Sequence, residues 1–165
     1  MQAATLKAAS KPFLALTAAD LMSTPVMTIP QEMSLREAAR LLARSSISGA
    51  PVVDKDGRCL GVLSSSDFVT WAGREGETVS FIAPWGEVIN IDDSPDNEIR
   101  HYMTAQPVFV APRTSIGELA QKMVDAHIHR ILVVENNRPR GIVTSTDILA
   151  AVAHGARKAA LEKAK

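Results

Sequence analysis

Cysteine and aromatic residues are scarce, and net charge is absent. Cys59 is the one cysteine of the chain, so no intramolecular disulfide forms and a cysteine-rich zinc site is excluded. That usage fits a reducing cytoplasm, the compartment we expect. Eighteen Lys and Arg residues offset 18 Asp and Glu. No global field therefore invites nucleic acid or an anionic membrane surface, and neither is expected as a partner. No apolar run approaches the roughly 18 residues of a membrane span. The first 20 residues make a poor secretory signal, because Lys11 and Pro12 break their apolar stretch; they read as a short arm leading into the first helix. What is present is an ordinary soluble balance, 46% hydrophobic and 22% charged over 165 residues. That length allows one compact domain or two small halves sharing a core.

The chain repeats itself. Met22 and Met103 lie 81 residues apart, as do Ser34 and Ser115, and Val52 and Val133. Gly61 and Gly141 are 80 apart, as are Asp67 and Asp147, so one deletion falls in the turn before the glycine. Each copy predicts a short helix ending near the methionine, then an extended segment, "VMTIP" or "VFVAP". An amphipathic helix follows, opened by Ser34 with Glu37 or Ser115 with Glu118. Leu35, Ala38, Ala39 and Leu42, and in the second copy Ile116, Leu119, Ala120 and Met123, recur at helical spacing. A hairpin comes next, with a good turn at Lys55-Asp56-Gly57 and a looser one at Asn136-Asn137-Arg138-Pro139. A last helix ends the unit.

The expected organisation is an arm (1–16), repeat 1 (17–70), an inserted connector (71–97), repeat 2 (98–153) and a helical tail (154–165). The fold class is α+β: two β-α-β-β-α units packed sheet to sheet about a pseudo-twofold axis. One such unit is marginal alone, because so short a chain buries only about 60% of its unfolded surface. The connector carries Asp92, Asp93 and Asp96, and "VSFIA" with "EVINI" predicts an added hairpin around Pro84-Trp85-Gly86.

The stretch "GVLSSSDF" and its echo "GIVTSTDI" support two readings. Ser64 with Asp67, and Thr144 with Asp147, fit a helix-capping pattern at a strand-to-helix junction. The glycine lets the strand turn or another backbone approach. The same atoms also suit a nucleoside phosphate. A helix N-terminus favours phosphate, Ser64, Ser66, Thr144 and Thr146 add hydroxyls, and Asp67 or Asp147 can accept from both ribose hydroxyls. His129 and Arg130 precede the strand beside "GIV", where an arginine fork suits phosphate. Ser48 and Gly49 occupy those positions in the first copy, so unequal sites are expected. His127 reads as a helix-end residue, and His101 and His154 as surface residues. No metal site is expected, because His127 and His129 have no clear third ligand, and no Ser/His/Asp order or paired carboxylates point to an enzyme.

"DLMSTPVMTIP", "GAPVVDKDG" and "GVLSSSDF", answered in order by "HYMTAQPVFVAP", "HRILVVENN" and "GIVTSTDI", resemble a tandem pair of CBS domains (cystathionine β-synthase domains), a Bateman module. The second repeat is similar to those of the γ subunit of AMP-activated protein kinase. The resemblance implies a homodimer of pairs and an adenosine ligand (AMP, ADP, ATP or S-adenosylmethionine) in the cleft between repeats, with no cofactor. It implies that Asp67 and Asp147 hold ribose, that Ser64, Ser66, Thr144 and Thr146 lie near ribose or phosphate, and that His129 and Arg130 meet phosphate. Residues near Thr28, 47–51, Val110 and Ile128 would frame the base. The expected function is a stand-alone regulatory module acting in trans on an unknown protein partner. The alternative is a dimerising interaction scaffold that needs no ligand.

Overall fold

The computed structural model describes residues 11–72, 80–82, 88–90 and 98–163. A 3-10 turn at Phe13–Ala15 leads into α1 (Ala18–Leu21), β1 (Ile29–Pro30), α2 (Leu35–Arg44), β2 (Gly49–Val53), β3 (Cys59–Ser64) and α3 (Ser65–Ala72). Next come β4 (Ser80–Ile82), β5 (Val88–Asn90) and a 3-10 turn at Ile99–His101. The second β-α-β-β-α run is β6 (Phe109–Val110), α4 (Ile116–Asp125), β7 (Arg130–Glu135), β8 (Arg138–Thr144) and α5 (Ser145–Lys163). The fold is mixed α+β, with two three-stranded sheets in the orders β1-β2-β3 and β6-β7-β8. In each sheet the first pair is parallel and the second antiparallel. β4 and β5 form the added antiparallel hairpin; its Pro84-Trp85-Gly86 turn and the acidic run lie outside the described residues.

Local chemistry explains the element ends. Glu37 takes the Ser34 N–H and hydroxyl at 3.0 and 2.8 Å while Ser34 Oγ accepts the Glu37 N–H at 3.3 Å, a complete capping box on α2. On α4 Ser115 Oγ accepts the Glu118 N–H at 3.3 Å, the same first half of the box. Both helices stop on a left-handed residue, Ser46 (φ 51°) and His127 (φ 52°). Each stop closes with a backbone bond across the last turn, Ile47 N–H to Leu42 O and Ile128 N–H to Met123 O. His127 is thus the helix-end residue its position suggested. The hairpins reverse expectation. Asn136 and Asn137 both have positive φ, 53° and 59°, and Glu135 pairs directly with Arg138. That is the tight two-residue turn, which asparagine tolerates because its short amide can enter the left-handed region. The Lys55-Asp56-Gly57 connection is the longer loop, held by Asp54 Oδ1 accepting from the Asp56 and Arg58 N–H groups at 2.8 Å each.

Packing groups the elements in a way the repeats do not. One unit comprises Met1–Val26 with Val108–Lys165, and the other is Met27–Pro107. In the second of these, the helices and sheet bury Ile29, Leu35, Ala38, Leu42, Val52, Leu63 and Phe68, and Ile99 from the far end of the segment joins them. In the other, Leu16, Ala18 and Leu21 of the N-terminal segment join Ile116, Leu119, Ile131, Val133, Val143 and Ile148. The short helix that opens each sequence repeat therefore belongs to the core of the other repeat's sheet. Backbone pairs fix the exchange: Ser23 with Ile142 (2.9 and 3.3 Å) and Thr104 with Val62 (2.9 and 3.0 Å).

Candidate functional site

The glycine that opens each motif makes this exchange possible. A Cβ on Gly61 would lie 2.6 Å from the Thr104 carbonyl oxygen and 2.8 Å from Met103 Sδ. One on Gly141 would lie 2.6 and 2.7 Å from Met22 Cγ and Cβ. A backbone does approach Gly61, as the sequence allowed, whereas at Gly141 it is the Met22 side chain that takes the space.

Three residues on, each strand passes directly into a helix. Asp147 Oδ2 accepts the Thr144 N–H at 2.7 Å and the Thr144 hydroxyl at 2.6 Å, and Thr144 Oγ1 accepts the Asp147 N–H at 3.3 Å. The first motif repeats the two bonds to the aspartate, with the Ser64 N–H and hydroxyl reaching Asp67 Oδ2 at 2.7 and 2.8 Å. The capping box is therefore complete at Thr144, and its aspartate half is present at Ser64. Ser66 adds its Oγ to the Ser64 Oγ at 2.7 Å, and both Ser66 and Thr146 are exposed in their first helical turns. The burial sequence from glycine to the end of the first turn is the same in both copies, with the two aspartates half-buried. Backbone donors at the helix starts are partly spent: Ser65 N–H goes to Ser48 O and Ser145 N–H to His129 O, each at 2.9 Å. Anion attraction at these N-termini thus rests on fewer free donors than the sequence suggested.

The motifs differ at the neighbouring strand. Arg130 begins β7 and stands opposite Thr144 in the register, so the two side chains share a sheet face. Burial draws the half-buried Arg130 guanidinium below its ordinary pKa, and an arginine remains charged even so. Gly49 stands opposite Ser64 in the first sheet. His129 is exposed just before β7, and its carbonyl, as the Ser145 acceptor, ties β7 to the start of α5. Arg130, Thr144 and Asp147 are therefore grouped in one unit, and Ser64, Ser66 and Asp67 in the other. Of the residues expected to frame a base, Ala50 and Val110 turn into the two hydrophobic cores. Thr104 was not singled out from the sequence, yet its hydroxyl lies 3.5 Å from Asp67 Oδ1. Its 81-residue spacing from Ser23 was the available signal.

The CBS domain family matches residues 18–73 and 99–154, the two spans that carry these motifs. The chain belongs to the CBS-domain family. Among relatives of this CBS protein, MJ1426 of Methanocaldococcus jannaschii is 28% identical over 150 residues, covering 81% of this chain and 89% of that protein. The A-adding tRNA nucleotidyltransferase of Geobacter sulfurreducens is 31% identical over 133 residues, and the match covers 81% of this chain but 13% of that enzyme. Among solved structures, the CBS domain pair of MJ0100 in complex with 5′-methylthioadenosine and S-adenosylmethionine is 25% identical with a TM-score of 0.66, covering 83% and 99% of the two chains. CBSX2 in complex with AMP has the same fold at 20% identity and a TM-score of 0.63, with 83% and 96% covered. MJ1225 of Methanocaldococcus jannaschii shares it at 23% identity and a TM-score of 0.66, with 84% and 48% covered. Among the described residues of the CBS protein, no helix is long and apolar enough to cross a membrane.

Proposed function

We propose that this chain is a regulatory, non-catalytic module that binds an adenosine ligand at its strand-to-helix motifs, and that the motif of Thr144 to Asp147 is the stronger site. One observation carries the reading. Asp147 completes its cap with Oδ2 alone, and Oδ1 takes no hydrogen bond among the described residues. A carboxylate oxygen with free lone pairs is left for ribose, while Arg130 begins the strand opposite Thr144. The MJ0100 pair, which holds two adenosine compounds, supports this ligand class. Homodimerisation, a regulated protein partner and a cytoplasmic setting belong to the same proposal.

The test is thermal unfolding with AMP, ADP, ATP and S-adenosylmethionine, each up to millimolar concentration. A ligand at about 100 times its dissociation constant stabilises the folded state by about 2.7 kcal/mol. Asp147→Ala should remove most of that shift, at a cap cost of about 1 kcal/mol. No shift with any of the four overturns the proposal.

A second reading has its own support. Both aspartates are already satisfied as caps without a ligand, and Gly49 brings no cation to the first motif. A ligand-independent dimerisation scaffold would need no more. It predicts that Asp147→Ala leaves self-association unchanged, measured by sedimentation with and without nucleotide.

A further inference from the structure

We propose that Thr104 and Ser23 are specificity-determining residues that set how strongly each motif aspartate reads a ribose 2′-hydroxyl. The inference rests on the proposed function and adds to it two residues lying outside both motifs. Each aspartate spends Oδ2 on its own helix cap. Oδ1 is then the oxygen a sugar hydroxyl must use.

Residue 104 guards that oxygen in its unit. Thr104 is held on β3 by paired backbone bonds to Val62, 2.9 and 3.0 Å. It can sit there because Gly61 has no side chain to displace its carbonyl. A threonine is restricted at χ1, and the Thr104 hydroxyl points to Asp67 Oδ1 at 3.5 Å. Each carboxylate oxygen accepts about two hydrogen bonds, and the Thr104 hydroxyl, at 3.5 Å, makes a long, weak contact along one of the directions on Oδ1. A ribose hydroxyl arriving there competes with a donor already in place. Ser23 holds the corresponding position in the other unit, pinned to β8 by its pair with Ile142. Its hydroxyl makes no hydrogen bond to Asp147 among the described residues, so that carboxylate keeps Oδ1 open. The two sites therefore differ in sugar discrimination as well as in phosphate attraction.

The experiment is calorimetric titration of the full chain with AMP and 2′-deoxy-AMP. Asp67→Asn leaves the Asp147 motif intact, and Asp147→Asn leaves the Asp67 motif intact. In the Asp67→Asn protein AMP should bind about tenfold more tightly than 2′-deoxy-AMP, the worth of one hydrogen bond to a charged group. In the Asp147→Asn protein the ratio should fall to about twofold. Adding Thr104→Val to Asp147→Asn should raise its ratio toward tenfold, whereas Thr104→Ser, which keeps the hydroxyl, should not. Adding Ser23→Thr to Asp67→Asn should lower its ratio. Ratios that ignore residues 104 and 23 overturn this inference while leaving the proposed function standing. If wild-type protein fails to bind AMP the inference falls, and if ADP, ATP and S-adenosylmethionine also fail the proposed function falls with it.

Discussion

Asp20 is the buried acid among the described residues, with 8% of its surface exposed, and its partners show how a charge is kept inside. Burial pushes its carboxyl up, but the Lys11 ammonium, 2.8 and 2.9 Å from its oxygens, and the Thr17 hydroxyl and N–H, at 2.8 and 2.9 Å, hold it below the ordinary carboxylate value. A folded-state pKa below the unfolded one stabilises the protein above the unfolded pKa, and that stabilisation is lost as pH falls through the folded value. Asp20→Ala should cost about 1–2 kcal/mol at pH 7, the range for a lost cap. The gap from wild type should narrow at pH values below about 4. Urea unfolding at pH 7 and pH 3 compares the two, and an equal gap at both would refute the linkage. Cys59 behaves in the opposite sense. Its burial raises the thiol pKa, so alkylation at pH 8 should proceed only as fast as the native state opens.

At the level of elements, the glycine notches separate two kinds of crowding. Gly141→Ala drives a methyl into the Met22 side chain, and Gly61→Ala drives one into both Met103 and the Thr104 carbonyl. Each should destabilise by about 1–3 kcal/mol. Met22→Ala should restore much of the loss in Gly141→Ala, whereas Met103→Ala should restore little in Gly61→Ala, because the carbonyl stays. Thermal melts of the four proteins decide this. Much of the element plan is legible in sequence, because capping serines, helical apolar spacing and the strand runs are local signals. The hairpin ranking was not. Asn136 and Asn137 supply the left-handed pair that a tight turn needs, and a following Pro139 obscures it. The candidate site was legible to the same degree: the motif hydroxyls and carboxylates could be named from spacing. The approach of the Thr104 hydroxyl to Asp67 Oδ1 could not, since it depends on a pairing 37 residues away.

For the whole molecule, the repeat visible in the sequence and the unit that packs are different divisions of the chain. Self-similarity marks where copies begin, but a hydrophobic core forms with whichever segment fits, and here the leading segments trade places. Ile99, fully buried with the core of the unit spanning 27–107, makes the point. Tyr102 from the same segment meets Trp71 edge-on, ring centroids 6.3 Å apart. A fragment of residues 17–97 holds the first repeat and its connector yet lacks Ile99, Tyr102, Met103 and Thr104. A fragment of residues 27–107 lacks the opening helix of that repeat but retains these partners. The second should melt cooperatively and the first should not, even though the two are equally long and both are small enough to be marginal. In the full chain, Ile99→Ala should cost about 2–5 kcal/mol, as for other buried large-to-small changes, and should disturb the near-ultraviolet signal of the Trp71–Tyr102 pair. A cooperative fragment 17–97, or an Ile99→Ala protein as stable as wild type, would mean that the exchanged segments merely lie on the sheets. The opposite result makes them part of each core, and explains why neither repeat could stand without the other's first residues.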